Sequence, residues 1–342
     1  MNLRGQHLSE RDPLKLLARE MLLAVAMIGL LIFGLYAHTG SMPPLVVVES
    51  SSMVHDIDGE VGSIDAGDLV LVHNRDFQSV VTFAEATDPQ NSNFGYEQHG
   101  LEGDVIIYKK NGENGTPIIH RAIMEVVPNQ IYSPNRDMPS NASNSQHCPN
   151  GGTYDSESLD QNDTAGVCVL TWDVPGTTVK DVETVTVSFD GSQAGYYDCK
   201  RPVHANVESH LVVWEWQPRH AGLLTLGDYN NCSVDQGSQA VNGSSGIHSS
   251  MGTVGPIRSS WLIGVGGGEI PWLGTVKLMV SGQGTPGTIH VPSSSFFMLF
   301  SLIASVLVFP MILEPVAKRL MRRSPEYGMA LEEQKKYFSE EE

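Results

Sequence analysis

Ser50, Ser51 and Ser52 stand in a row before Met53 in the stretch "VVVESSSMVHD". A serine hydroxyl becomes a nucleophile only with a base in hydrogen-bond reach, either a histidine oriented by a carboxylate or a lysine of depressed pKa. Lys109 and Lys110 are available, but they lead into the polar turn "NGENG", where solvent keeps a lysine protonated. His120, in "TPIIHRAI", lies within an otherwise apolar run, where a histidine is more often structural than catalytic. Two carboxylates, Asp228 and Asp235, lie in "LLTLGDYNNCSVDQG", whose Gly, Asp and Asn content by itself describes a turn. Each piece alone is weak.

A second chemistry is open to Cys148, Cys168, Cys199 and Cys232, with His147, His204, His210 and His220 nearby. No compact Cys-x-x-Cys or His-x-x-x-His spacing supports a metal site, so disulfides or free thiols are expected, with no metal and no cofactor. Four cysteines allow three pairings, and the sequence does not choose among them.

Any such site needs elements to hold it. "LVVVE" at 45–49, "LVLV" at 69–72, "DVIIY" at 104–108, "PIIHRAIMEVV" at 117–127, "LVVWEW" at 211–216, "LLTL" at 223–226 and "GTVKLMV" at 274–280 are β-branched runs bounded by Gly, Asp and Asn. They predict a mostly β domain, with no helical period of useful length inside it. Residues 75–100 are polar and predict an extended loop between two strands. Residues 129–210 are rich in Asn, Ser, Asp and Gly, with one clear alternating run, "VETVTVSF" at 182–189, and predict an inserted polar subdomain.

Two apolar runs frame this domain, 21–37 and 296–313, each without a charge and each at the lower end of the membrane-spanning range. Arg4, Arg11, Lys15 and Arg19 precede the first, which fits a cleavable leader, but "YAHTGSMPP" after it is a poor cleavage site. The length of the second, and Pro310 within it, suit a buried core helix, but Lys318, Arg319, Arg322 and Arg323 follow it at once. The positive-inside rule then predicts two spans with both termini cytoplasmic. The expected division is a cytoplasmic N-terminus (1–20), a span (21–37), a catalytic domain in two parts (38–128 and 211–295) around the insertion (129–210), a second span (296–313) and a cytoplasmic tail (314–342).

The 342 residues carry 39 Asp and Glu against 21 Lys and Arg, a formal charge of −18, which argues against a nucleic-acid partner. The two ends balance, so the whole acidic excess falls on 38–295, the predicted external part. That composition resembles proteins of extreme halophiles, whose hydrated acidic surfaces are screened by salt. Five Asn-x-Ser/Thr sequons, at Asn114, Asn141, Asn162, Asn231 and Asn242, would all be external and open to glycosylation. A glycan at Asn231 would crowd Asp235.

Taken in order, the blocks resemble the type I signal peptidases of the archaeal and endoplasmic-reticulum type, here from a halophilic archaeon. An apolar span is followed by Ser50-Ser51-Ser52-Met53, then "GDLVLV" at 67–72, "GDVIIY" with "PIIHR", the block from Thr225 to Asp235, and "IPWLGTVKL" at 270–278. The resemblance covers most of 40–128 and 211–285 and leaves the insertion outside it. It implies a signal-peptidase-like β-rich catalytic domain on N- and C-terminal transmembrane helices. Ser52 is then the nucleophile and His120 the base, where bacterial members carry lysine. Asp235 is the acid partner, with Asp228 supporting the loop or sharing that role. The Ser50 hydroxyl and Ser52 amide form the oxyanion site. The implied activity is a membrane-bound serine endopeptidase, a hydrolase that removes signal peptides from secreted precursors. Its expected partners are signal-peptide-bearing precursor proteins, membrane lipid and the protein-export translocon.

Three departures from the pattern stand out. Ser51 replaces the usual glycine between the two serines, His55 stands where proline is common, and the gap from His120 to Asp228 is far longer than in the family. A non-catalytic, membrane-anchored β-rich binding or envelope protein is the alternative, and it predicts no dependence on Ser52.

Overall fold

The computed structural model describes residues 13–54, 62–132, 148, 153–155, 167–189, 211–230, 233–237, 246–281, 287–321 and 329. His55, Cys199, Cys232, His147, His204, His210 and four of the sequons lie outside them; Asn114 is described and exposed.

Two long helices bracket a β-rich domain. α1, Pro13–Thr39, and α4, Ser293–Met321, contain apolar windows at Leu17–Thr39 and Ser293–Ala317, both longer than the predicted spans. Their side chains are almost wholly unburied against protein, at 0% and 6% of each window. Apolar helices with so little protein packed on them are long enough and apolar enough to cross a bilayer.

One eight-stranded sheet dominates the domain between them. We number its strands and their partners β1 (Leu45–Val47), β2 (Leu69–His73), β3 (Val105–Tyr108), β4 (Ile118–Tyr132), β5 (Thr153–Asp155), β6 (Val167–Asp173), β7 (Val185–Phe189), β8 (Leu211–Trp216), β9 (Gly222–Leu226) and β10 (Leu262–Ile270). The order is β1-β2-β10-β3-β4-β6-β5, with β9 also pairing β4, and every pairing is antiparallel. β7 and β8 form a separate ribbon. β-branched residues predominate in these strands because they fit a pleated, half-buried surface.

β4 organises the whole. Its first half lies between β3 and β9, while from Val127 onward it pairs with β6. The insertion therefore begins as a continuation of the strand that carries His120 and returns to it through β9. That return closes the long gap between His120 and Asp228. The insertion is not a detached subdomain: one buried cluster joins Ile123, Met124 and Leu224 to Trp172, Val187 and Leu211. Cys148 is disulfide-bonded to Cys168.

Three predictions from local pattern are corrected. Residues 274–280 were expected as a strand but form helix α3, Thr275–Ser281. The run "TVKLMV" alternates like a strand, yet Thr275 and Leu278, three apart, are its buried residues, which is a helical face. Residues 75–100 are not an extended loop: they contain the short helix α2, Phe83–Thr87, and a two-residue ribbon. Thr82 and Glu85 close a reciprocal capping box at the start of α2, and Phe83, Ala84 and Ala86 bury against the core. Third, β10 was not foreseen, because "GVGGG" reads as a breaker. There the missing side chains are required, since a Cβ on Gly264 would meet the His73 carbonyl at 2.5 Å and one on Gly267 would meet the His73 ring at 2.4 Å.

β2 runs between the two long helices. Beyond its far end Asn74 N donates to Thr39 O (2.9 Å) at the end of α1. At its start Ala66 packs with Leu278 of α3 and with Val291, just before α4. The segment carrying the serines, which follows β1, is thus held against the part of the domain nearest both helices.

Candidate active site

Strand parity fixes what β4 presents to each side. His120 lies opposite Ile106 on β3 and Arg121 opposite Val105, so the adjacent side chains point to opposite faces. On one face His120, 3% exposed, reaches the serine segment. Its Nε2 is 2.9 Å from Ser52 Oγ and its Nδ1 is 2.6 Å from Asp235 Oδ2. An ionised carboxylate only accepts, so Nδ1 carries the proton and Nε2 is free to take the one on Ser52. Serine, histidine and aspartate, from three separate parts of the chain, form an unbroken relay.

Asp235 is brought in by a reversal after β9. Leu226 bridges Val234, Asp235 N donates to Thr225 O (2.9 Å), and the Asp235 carbonyl accepts from Ile247 N (2.8 Å). Its Oδ2 also accepts from the Tyr108 hydroxyl at 2.7 Å and from Thr225 Oγ1 at 2.6 Å. Oδ1 is buried and without a partner among the described residues. Burial, reinforced by the charge of Asp235, holds Tyr108 well above the usual phenol range, so it stays a donor. Sequence reasoning missed Tyr108 and Thr225 as partners. Parity could have found Tyr108, since it is two residues from Ile106 and therefore on the His120 face.

On the opposite face Arg121 and Asp228 form a bidentate pair at 2.9 and 2.7 Å, both side chains fully buried. Arg121 Nη1 also lies within hydrogen-bond reach of the carbonyls of Gln98, Leu101, Glu102 and Gly103, which close the ribbon after α2. Asp228 is therefore committed to an arginine, and the hydrogen bond of His120 goes to Asp235.

The turn at 227–230, which carries Asp228, is tied to the serine segment. Tyr229 N donates to Ser52 O (2.8 Å). A Cβ on Gly227 would fall 2.7 Å from both His120 Nε2 and Ser52 O, so only glycine allows the turn to approach this closely. Ser50 Oγ lies 3.1 Å from Ser52 Oγ, and the Ser52 amide donates to no described residue. Ser51, where glycine was expected, avoids positive φ, so the substitution carries no backbone strain.

Ser52 and His120 open onto a cavity of about 350 Å³. Its apolar wall includes Val48, Met53, Ile118 and Ile247; Asn230 and His290 add polar groups. Lys109 and Lys110 are half-exposed beyond β3, and the Ser52 hydroxyl is bonded to His120 and Ser50 instead. His220, one member of the rejected metal set, is buried edge-on to Trp261. No group of three metal-ligating side chains occurs among the described residues.

Comparison with known protein families, with curated proteins and with solved structures returns no match for this chain. What stands is the geometry: a buried histidine between a serine hydroxyl and an aspartate, at the wall of a cavity, in a β-rich domain that carries two apolar helices.

Proposed function

We propose that the chain is a membrane-bound serine endopeptidase that removes N-terminal signal peptides from exported precursors. The observation that carries this reading is the Ser52–His120–Asp235 relay at 2.9 and 2.6 Å. Ser52 Oγ attacks the scissile carbonyl as its proton passes to His120 Nε2. Asp235 steadies the imidazolium, and His120 then returns the proton to the leaving amine. Water, activated by the same histidine, releases the acyl-enzyme. In this reading the Ser52 amide and Ser50 hydroxyl would receive the oxyanion, where one donor is typically worth about 3 kcal/mol of barrier.

Sequence pattern and the two apolar helices support a topology with both termini cytoplasmic and residues 38–295 external. A precursor whose apolar segment is still in the lipid would meet Ser52 close to the bilayer. By the resemblance, substrates would carry small residues before the cut.

The test is cleavage of a signal-peptide-bearing precursor by membranes holding the wild-type chain, Ser52→Ala or Ser51→Ala, at high salt. The expected outcome is loss of cleavage in Ser52→Ala alone. Unchanged cleavage by Ser52→Ala would overturn the proposal and favour an anchored binding protein.

A further inference from the structure

A second polar constellation stands away from the relay, where β2 meets the end of α1. The His38 and His73 rings lie edge to face with centroids 5.3 Å apart. The apolar window of α1 ends at Thr39, so in a bilayer these rings stand where hydrocarbon gives way to headgroups. Beside them opens a cavity of about 380 Å³ lined by His73, Arg75, Gln98, His99 and the Val265–Gly268 backbone, with Glu97 the acid of the lining. Glu97 is exposed, where solvent screens its charge.

The basic groups here have donors to spare. Arg75 is 3.5 Å from Asp104 Oδ1 through Nη1 and also bonds the Tyr96 hydroxyl, which leaves the remaining N–H groups of its fork toward the cavity. Asp104 is already served by the Tyr96 hydroxyl at 2.7 Å and Val81 N at 2.8 Å. Most of the five guanidinium N–H groups therefore remain available. The His73 ring makes no hydrogen bond among the described residues and is held by shape, against a strand that must be glycine at 267. Burial, and then the neighbouring His38 and Arg75 charges, lower the pKa of His73. An anion between these groups would turn their mutual repulsion into attraction.

We infer that this cavity binds a phosphate group, that of an anionic lipid headgroup, between His73 and Arg75 with His38 at its rim. Occupancy would fix the end of α1 against β2 and so set the height of the sheet over the bilayer. The inference does not depend on the peptidase reading.

The test is calorimetric titration of the full chain in neutral detergent with three probes: short-chain phosphatidylglycerol, the matching diacylglycerol without phosphate, and inorganic phosphate. The expected result is one phosphatidylglycerol per chain, bound at least about tenfold more weakly by the His73→Gln/Arg75→Gln pair, which removes charge-assisted hydrogen bonds. Lys109→Gln/Lys110→Gln should bind as wild type does, and the diacylglycerol should not compete. Equal binding by the His73/Arg75 variant, or none by the wild type, overturns the site. Inorganic phosphate binding as tightly as the lipid overturns the headgroup assignment. Thermal melting checks that each variant folds, and the exposed Arg75→Gln change alone should still weaken binding if the pair does not.

Discussion

Asp228 and Asp235 are seven residues apart and equally buried, yet what faces each gives it a different task. Asp235 accepts from His120, Tyr108 and Thr225, so it orients the imidazole that the proposed reaction uses as its base. Asp228 neutralises a fully buried arginine that itself clamps four carbonyls, so it holds the fold. Asp235→Asn is therefore expected to lower kcat for precursor cleavage by about 10⁴-fold with melting little changed, because the amide favours the wrong histidine tautomer. Asp228→Asn should cost about 3–5 kcal/mol in urea denaturation, because it leaves the Arg121 charge buried and unpaired. A stable Asp228→Asn chain with crippled turnover would mean the roles are exchanged. The residue types of this site were legible in the sequence: Ser52, His120 and Asp235 stand in blocks whose order carries the resemblance. The resemblance favours Asp235 as the partner of the histidine, but the residues alone do not separate it from Asp228, because the choice depends on strand parity at Arg121 and on a turn that only a glycine at 227 permits.

At the scale of elements, strands with β-branched cores were legible, while segments whose conformation is set by neighbours were not. α3 reads as a strand and folds as a helix because the burial of Thr275 and Leu278 against Gly67, Ala66 and Val291 outweighs local preference. β10 reads as a breaker and forms an inner strand because its glycines admit His73 and Val72. At its end β10 carries a further consequence in Glu269. One carboxyl oxygen accepts from Gly62 N, while the other is buried without a partner among the described residues. Burial is the main cause that pushes its pKa up to about 7, and the charge of Asp68 adds to it against the Gly62 bond. Burial raises the Asp68 pKa as well, against amide bonds from Trp272 and Asp65. The folded chain thus holds the Glu269 proton more tightly than the unfolded chain does. Its contribution to stability is complete below the ordinary glutamate pKa and is lost as pH rises through about 7. The melting temperature should therefore fall between about pH 5 and pH 8, and Glu269→Gln, which keeps a neutral hydrogen-bonding group, should flatten that fall. An equally steep fall in the variant would show that Glu269 is not its source.

For the whole molecule the sequence divides into a β domain, two apolar spans and a polar insertion, and the insertion is where that division fails. Its composition predicts a lobe of its own, but composition does not report which apolar side chains meet across a boundary. β4 crosses the predicted limit at 128 without interruption, and Met124, Val126 and Leu224 are fully buried in one cluster with Trp172, Val187 and Leu211. β8, which leads into β9, is itself paired to β7 inside the insertion, with Leu211 opposite Phe189. Excising 129–210 would remove the end of β4 itself, leave Val127 and Pro128 without their β6 partners, unpair β8 and expose side chains worth about 1.5–3 kcal/mol each. Several such losses exceed the ~5–15 kcal/mol that holds a domain together. The excised chain is expected to lose near-ultraviolet circular dichroism and become protease-sensitive, taking the Ser52–His120 contact with it. Trp172→Ala, which removes one fully buried side chain of the insertion, should melt lower by about 3–5 kcal/mol while still folding. An excised chain that melts as wild type does would make the insertion a dispensable lobe. A destabilised one would mean that the strand carrying His120 is buttressed from the insertion, so that the geometry of the Ser52–His120–Asp235 relay and the packing of the insertion are a single property of β4.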